Sequence, residues 1–327
     1  MIRNLRGLFR LARIGGVVAK AIWNILIKSP QGADLPKAQQ KVYDDFRKVM
    51  NIKIVFNEAA APLETKRPTW YLANHTSYGD FIVLGAAAQG TYAGKGEILT
   101  WPGVRELARA VNYIGLRRSR EFNDQSRAKI INNFNEGYNM MMFPEATIPE
   151  SEPDRGVVTG DEVYMFHAGL LPIIFGEAGI DKCGTKVKLD KKIADNVCVQ
   201  AVAIKVIEVE GKKNAHEDPE LRKAYTAHDK TGMLAQFWRL LTTKEMTVEL
   251  TPLPVLEPKN FKDHFALTNE AHRQVASVIA PEQKTVYSAI IPGQDASKRK
   301  VQPIAPPPDT VGIIVNKAEK PRGPNRP

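Results

Sequence analysis

The chain has 327 residues, 43% of them hydrophobic, which is enough for one large or two small domains with a buried core and excludes disorder throughout. Its formal net charge of +10 at pH 7 favours partners that carry phosphate, namely nucleic acid, anionic lipid or phosphorylated metabolites. Two cysteines without a CxxC pair argue against a disulfide framework and a zinc site. A membrane span is expected to need about 18 consecutive uncharged apolar residues, and no stretch of the sequence is that long.

Residues 4–28 predict a basic amphipathic helix. At helical pitch its basic side carries Arg6, Arg10, Arg13 and Lys20. The apolar side carries Leu5, Leu8, Leu11, Ala12, Ala19, Ile22, Trp23 and Leu26. Such a helix suits a bilayer interface, with apolar residues at the acyl boundary and cations at anionic headgroups. The alternatives are a helix packed on the protein's own core and a targeting presequence.

Strands and helices then alternate along the chain. The patterns predict helices over residues 36–50, 80–88 and 103–111, from 120 toward 139, and over 263–279. They predict strands over 51–58, 70–74, 140–143, 171–175, 197–209 and 246–256. This alternation indicates an α/β fold with a mostly parallel mixed sheet flanked by helices. The predicted divisions are an N-terminal membrane-interfacial segment (1–47), a catalytic domain (48–285) and a disordered tail rich in Pro, Lys and Arg (286–327).

The stretch "NHTSYGD", residues 74–80, places a histidine and an aspartate five positions apart. Ser77 and Asp80 fit a capping box with Ser77 as N-cap, so Asp80 would lie in the first turn of a helix. A carboxylate there can fix one nitrogen of His75 and leave the other free to accept a proton. The unpaired N–H groups of the helix end would suit an oxyanion or a phosphate. Taken alone, this spacing is more often a capped turn.

Further blocks follow in an order that resembles the glycerolipid acyltransferase family, which includes bacterial 1-acylglycerol-3-phosphate acyltransferases of the PlsC type. His75 and Asp80 match its H-x4-D motif, and "AGKGEI" (93–98) is similar to its K-x-E segment. "YIGLRRS" (113–119) resembles its second block, "FPEAT" (143–147) its third, FPEGT, and "VQAVAI" (199–204) its fourth, with Ala201 where a Pro is usual. The resemblance covers about residues 48–280 and implies a glycerol-3-phosphate acyltransferase-like fold.

The resemblance also implies roles for single residues. His75 would deprotonate the hydroxyl of a lysolipid and Asp80 would orient His75. The implied substrate-binding residues are Lys95, Arg117, Arg118, Glu145, Ala146 and Thr147. Arg118, with Arg117, would hold the acceptor's phosphate, because a guanidinium group suits that task. Acyl-CoA or acyl carrier protein would be the co-substrate, and neither a metal nor another cofactor is expected.

Two departures leave the acceptor open. Ala146 stands where the third block usually has Gly, and Ile148 where many members have Arg. A lysophospholipid with a larger headgroup, or a lyso-ornithine lipid, is therefore an alternative to 1-acylglycerol-3-phosphate, although Arg155 is a possible substitute for the missing cation. A non-catalytic lipid-binding relative also stays open.

Each implied contact has a structural alternative. Lys95 would pair with Glu97 or Glu106 at the surface, the two arginines would be solvated, and Glu145 would cap a helix. Nucleic acid is not expected as a partner, since aromatic residues do not alternate with the basic ones. The expected partners are the lysophospholipid, the acyl donor and an anionic membrane surface, with peripheral attachment to the cytoplasmic face of the inner membrane.

Overall fold

A mostly parallel mixed sheet forms the centre of the protein. The computed structural model describes residues 2–30, 32, 34–100, 104–116, 120–148, 152, 157–226, 233–288 and 300–304. The strands are β1 (Ile52–Phe56), β2 (Thr69–Ala73), β3 (Thr91–Lys95), β4 (Ile114–Leu116), β5 (Met140–Met142), β6 (Gly179–Ile180), β7 (Lys186–Val187), β8 (Cys198–Val209), β9 (Lys212–Lys213), β10 (Met246–Pro252), β11 (Thr285–Tyr287) and β12 (Val301–Pro303).

The order across the main sheet is β1-β10-β8-β2-β5-β3-β4. Neighbours along this path are parallel except β10 and β8, which pair antiparallel, and β9 forms a hairpin with the end of β8. The predicted α/β class with a mostly parallel mixed sheet is therefore confirmed.

Helices cover both faces of this sheet. They are α1 (Ile2–Ala21), which continues as a π-helix over Ile22–Ile27, α2 (Asp34–Met50), α3 (Gly79–Ala87), α4 (Val104–Ala110), α5 (Arg120–Asn135), α6 (Lys191–Ala194), α7 (Pro219–Arg222), α8 (Met233–Thr242) and α9 (His264–Ile279). Successive residues of β2 point to opposite faces. Tyr71 and Ala73 join the core beneath α1, α2, α3 and α8, whereas Trp70 and Leu72 join the core beneath α5 and α9.

Two sequence predictions differ from the structure. Residues 171–175 were predicted as a strand and form a 3-10 helix, Leu171–Phe175, with Pro172 near its start. Proline has no N–H for a ladder but suits the first turn of a helix, and Gly176 ends this one at φ 94°. Within the predicted tail, β12 pairs antiparallel with β11. The rest of that tail, residues 289–299 and 305–327, lies outside the described residues. The predicted boundary at residue 47 falls inside α2.

The N-terminal helix α1 packs on the protein through the side that carries arginine. Arg10 is 6% exposed, and its guanidinium group donates to the carbonyl oxygens of Leu241, Thr243 and Lys244. Arg6 donates to the Thr242 carbonyl over 2.8 Å. The carbonyl groups at a helix C-terminus lack partners within their own helix and attract cations, so these arginines cap α8. For Arg6 and Arg10 the prediction of an outward cationic face is wrong for this reason, whereas Arg13 and Lys20 are exposed as predicted.

The opposite side of α1 and of its π-helical extension is exposed and apolar. It carries Ile2, Leu5, Leu8, Phe9, Leu11, Trp23, Leu26 and Ile27. Buried positions such as Ile14, Ala21 and Ile25 alternate with them at helical spacing. Among the helices within the described ranges, none is long and apolar enough to cross a membrane.

Candidate active site

The predicted site residues gather at one edge of the sheet. Parallel strands β2 and β5 are neighbours, so their carboxyl ends lie side by side. His75 follows the end of β2, and Glu145 follows the end of β5. Lys95 is the last residue of β3, which is the next strand along. This edge is where open α/β sheets form their ligand sites.

His75 and Asp80 form a buried pair at this edge. The His75 Nδ1 atom lies 3.0 Å from Asp80 Oδ2, and the two residues are 6% and 2% exposed. The same carboxylate oxygen accepts the backbone N–H groups of Thr76 (2.7 Å) and Ser77 (2.8 Å). A carboxylate oxygen is an acceptor, so the imidazole proton belongs on Nδ1 and the lone pair on Nε2. The pair therefore presents a nitrogen that can accept a proton.

The turn before α3 holds Asp80 in place. Ser77 was predicted as the N-cap, whereas the helix begins at Gly79 with Tyr78 as N-cap. The Ser77 hydroxyl accepts the Gly79 N–H over 3.0 Å, and the Asp80 carboxylate binds back to the Ser77 N–H. The two reciprocal bonds of a capping box are thus present, but the Ser77 hydroxyl accepts the N–H two residues on instead of three. This difference is within the usual spread of helix boundaries.

Aromatic rings fix the plane of the imidazole. Phe143 stacks on His75 with ring centroids 4.1 Å apart, and Phe81 meets it edge-on at 5.2 Å. Tyr92 contacts both phenylalanines and completes the cluster. The sequence predicted residues 140–143 as a core strand and missed this contact of Phe143. Because one face of the imidazole is covered, its motion and its contact with water are both restricted.

Glu145 holds two segments of backbone together. Its Oε1 accepts the His75 N–H over 2.7 Å and its Oε2 accepts the Tyr164 N–H over 2.9 Å. The residue is 1% exposed, and burial raises the pKa of this carboxyl group to about 8, with the Asp80 charge adding to the shift. In this structure both carboxyl oxygens are occupied by backbone donors. A direct role in binding the acceptor stays a prediction.

The other predicted binding residues differ in their surroundings. Ala146 has a left-handed backbone at φ 65°, where the usual glycine would be unstrained, and Thr147 is half-buried beside it. Lys95 forms an exposed ion pair with Glu97 at 3.0 Å, which was the structural alternative. Arg117, Arg118 and Arg155 lie outside the described residues. Their predicted contacts with phosphate stay predictions.

Asn74 is a site residue for which the sequence reasoning had no role. Its Nδ2 donates to the Ile204 carbonyl over 3.0 Å, and its Oδ1 accepts the Ile204 N–H over 2.8 Å. The residue is 1% exposed. The sequence signal that could have identified this role is an asparagine at the end of a buried strand, directly before the histidine. An amide can bond to a backbone N–H and a backbone C=O at once.

A histidine–carboxylate pair at the carboxyl edge of such a sheet can act as a general base, and comparisons with known proteins indicate that the chain is acyltransferase-like. Residues 53–180 match the family model described as Acyltransferase. The structure of the PlsC 1-acyl-sn-glycerophosphate acyltransferase from Thermotoga maritima matches with a TM-score of 0.50 at 18% identity, over 85% of this chain and 96% of that one. This likeness supports the fold.

Two curated relatives show which acyltransferases the chain resembles. A lyso-ornithine lipid O-acyltransferase from Pseudomonas aeruginosa is 27% identical over 181 residues, which are 54% of this chain and 66% of the relative. A 1-acyl-sn-glycerol-3-phosphate acyltransferase from Neisseria gonorrhoeae is 23% identical over 212 residues, 64% of this chain and 69% of the relative. The chain thus matches just under two thirds of the Pseudomonas relative. Over this length it is similar to glycerolipid acyltransferases of the PlsC type.

Proposed function

We propose that this protein transfers a fatty acyl group from an acyl thioester, acyl-CoA or acyl carrier protein, to the hydroxyl group of a lysophospholipid such as 1-acylglycerol-3-phosphate. The observation that carries the proposal is the buried His75 and Asp80 pair, with 3.0 Å between Nδ1 and Oδ2. The match of residues 53–180 to the acyltransferase family model gives this pair a reaction to perform. The product would be a diacylated lipid for membrane synthesis.

The proposed mechanism is direct acyl transfer with His75 as general base. Nε2 takes the proton of the acceptor hydroxyl while its oxygen attacks the thioester carbonyl. The new C–O bond forms, the C–S bond breaks, and the thiolate leaves with the proton that His75 returns. Asp80 stabilises the imidazolium that exists between these two proton transfers. Because the nucleophile is the substrate's own hydroxyl, no covalent acyl-enzyme is required.

The acceptor's headgroup would be bound at the same edge of the sheet. Arg118 with Arg117 is proposed to hold a phosphate, because these residues directly follow β4. A lyso-ornithine lipid is the second candidate acceptor. It is supported by Ile148 in the position where the family often has Arg, and by the name of the Pseudomonas relative.

We also propose that the exposed apolar side of α1 rests on the anionic surface of the membrane's cytoplasmic face. Leu5, Leu8, Phe9 and Trp23 are exposed on this side. Large apolar residues exposed together on one helix suit the boundary between headgroups and acyl chains. Peripheral attachment would bring the site to the layer where lysolipids lie.

The test is acyl transfer by purified protein in mixed micelles. Acyl-CoA and acyl carrier protein are each offered with 1-acylglycerol-3-phosphate, a lysophospholipid with a larger headgroup, and a lyso-ornithine lipid. Transfer to at least one acceptor is expected, with a loss of roughly 10²- to 10⁴-fold in kcat for His75→Ala. The matched control is His264→Ala, at the start of α9, where the imidazole contacts the rings of Phe175 and Phe265. No transfer to any acceptor, or a fully active His75→Ala protein, would refute the proposal.

A further inference from the structure

The main chain leaves the sheet at His75, after the end of β2, which lies between β8 and β5. A side-chain contact holds this segment toward each of these two strands. The ladder between β2 and β8 ends at the pair Ala73 and Val202. One residue further, the Asn74 carboxamide takes both the N–H and the C=O of Ile204 in β8. Asn74 thereby replaces the backbone pairing that β2 would have supplied had it continued.

On the other side of β2 the contact comes from β5. Glu145, three residues beyond the end of β5, accepts the His75 N–H through Oε1. Its second oxygen accepts the Tyr164 N–H, which ties Glu145 to a further segment. The backbone at His75 is therefore held toward β8 by the bonds of Asn74 and toward β5 by the bond to Glu145. Asp80 orients the ring, but it contacts neither of these strands in this network.

We infer that Asn74 is a positioning residue that acts through His75, and that it does so jointly with Glu145. This inference rests on the proposed function, because it assigns the two contacts a part in the work of His75 as general base. Asn74 fixes where the main chain departs from β8, and Glu145 fixes how far it lies from β5. Neither side chain needs to touch the substrate.

The chemistry of the contact explains why an amide is needed. Ile204 presents one donor and one acceptor, and the Asn74 carboxamide presents one of each at matching positions. Ile204 is 2% exposed, so removal of the amide leaves two buried polar groups without their partner. The main chain after Ala73 then loses this restraint toward β8. A displacement of about 1 Å in a catalytic group costs on the order of 10²-fold in rate.

The central variant is Asn74→Ala, and Gln200→Ala is its matched control. Gln200 lies on the same strand, β8, and is fully buried. Its amide likewise bridges backbone groups: it donates to the carbonyl oxygens of Pro62 and Leu253 and accepts the N–H of Glu64, and none of these three bonds leads to His75. The two changes remove similar bonds from the same sheet. They differ in whether the bonds lead to His75.

For Asn74→Ala we expect kcat to fall about 10²-fold while KM for both substrates stays within about threefold. Gln200→Ala, compared at an equal folded fraction from urea unfolding, is expected to keep kcat within about threefold. If Asn74→Ala does not fold, Asn74→Asp replaces it, because that side chain keeps the volume and the acceptor for the Ile204 N–H. It is expected to keep KM and to lower kcat.

A double-variant cycle gives a readout that a purely structural role would not produce. Asn74→Ala and Glu145→Gln release the same backbone segment, so their losses in log kcat are expected to fall short of additivity when combined. Gln200→Ala and Glu145→Gln are expected to add. Equal kcat in the two alanine variants, a loss that appears only in KM, or additivity in the first pair would overturn the inference. A fully active His75→Ala protein would instead refute the proposed function itself.

Discussion

Replacing Asp80 by asparagine would test how the carboxylate assists His75. One oxygen, Oδ2, receives three donors: the His75 Nδ1–H and the N–H groups of Thr76 and Ser77. The new side chain must place its carbonyl oxygen in this position, because its NH₂ group would face three donors. The tautomer of His75 and the start of α3 are then retained. What disappears is the negative charge.

The size of the effect follows from the lost charge. An imidazolium and a carboxylate about 4 Å apart interact by about 4 kcal/mol at an effective dielectric constant of 20. The neutral imidazole of the ground state has no such interaction, so this stabilisation exists mainly once the proton has been taken. Loss of about 4 kcal/mol from the transition state corresponds to about 10³-fold in kcat. KM is expected to change little.

The assay is initial-rate acyl transfer at saturating donor and acceptor. Asp263→Asn is the matched control, since Asp263 caps α9 through the Ala266 N–H and asparagine is an equally good cap. It is expected to retain full activity. An Asp80→Asn protein that folds and loses less than about tenfold in kcat would refute the view that Asp80 acts through its charge.

Two further predictions concern backbone strain and the membrane surface. Ala146→Gly is expected to raise the free energy of unfolding in urea by about 1 kcal/mol, because Ala146 has φ 65°; unchanged or lower stability would contradict this. Leu8→Asp, on the exposed side of α1, is expected to weaken sedimentation with anionic liposomes by at least about tenfold. The change removes apolar area that the bilayer would cover, and the new carboxylate is repelled by the anionic headgroups. Ile180→Asp, at an exposed position on β6, should bind as the unchanged protein does, and equal binding by both variants would place the docking surface elsewhere.

The sequence identified most residues of the site because short local blocks carry them. These blocks lie at or just after the ends of four strands, at Ala73, Lys95, Leu116 and Met142, of which the sequence predicted the first and the last. Parallel strands bring such ends together at one edge of the sheet. The pairing of His75 with Asp80 was equally accessible, since the two are five residues apart.

The contacts that hold His75 were not accessible in the same way. Asn74 bonds to Ile204 across 130 positions and Glu145 to His75 across 70. No periodicity or turn chemistry encodes such partners, which depend on strand order and register. The 3-10 helix at Leu171–Phe175 was missed for a related reason: a five-residue apolar run fits a buried strand as well as a short helix, and only Pro172 argued against the strand.

The N-terminal helix shows how desolvation decides between two readings of one pattern. The amphipathic pattern separated the arginines of this helix from its leucines. It did not indicate which of the two sides faces the protein. A buried guanidinium needs partners, and the carbonyl groups at the end of α8 supply three to Arg10, so the arginine side can pack inward. Burial lowers the pKa of Arg10 from its usual value, with Arg6 and Arg13 adding repulsion. The leucine side is consequently left outward, where a lipid surface can cover it.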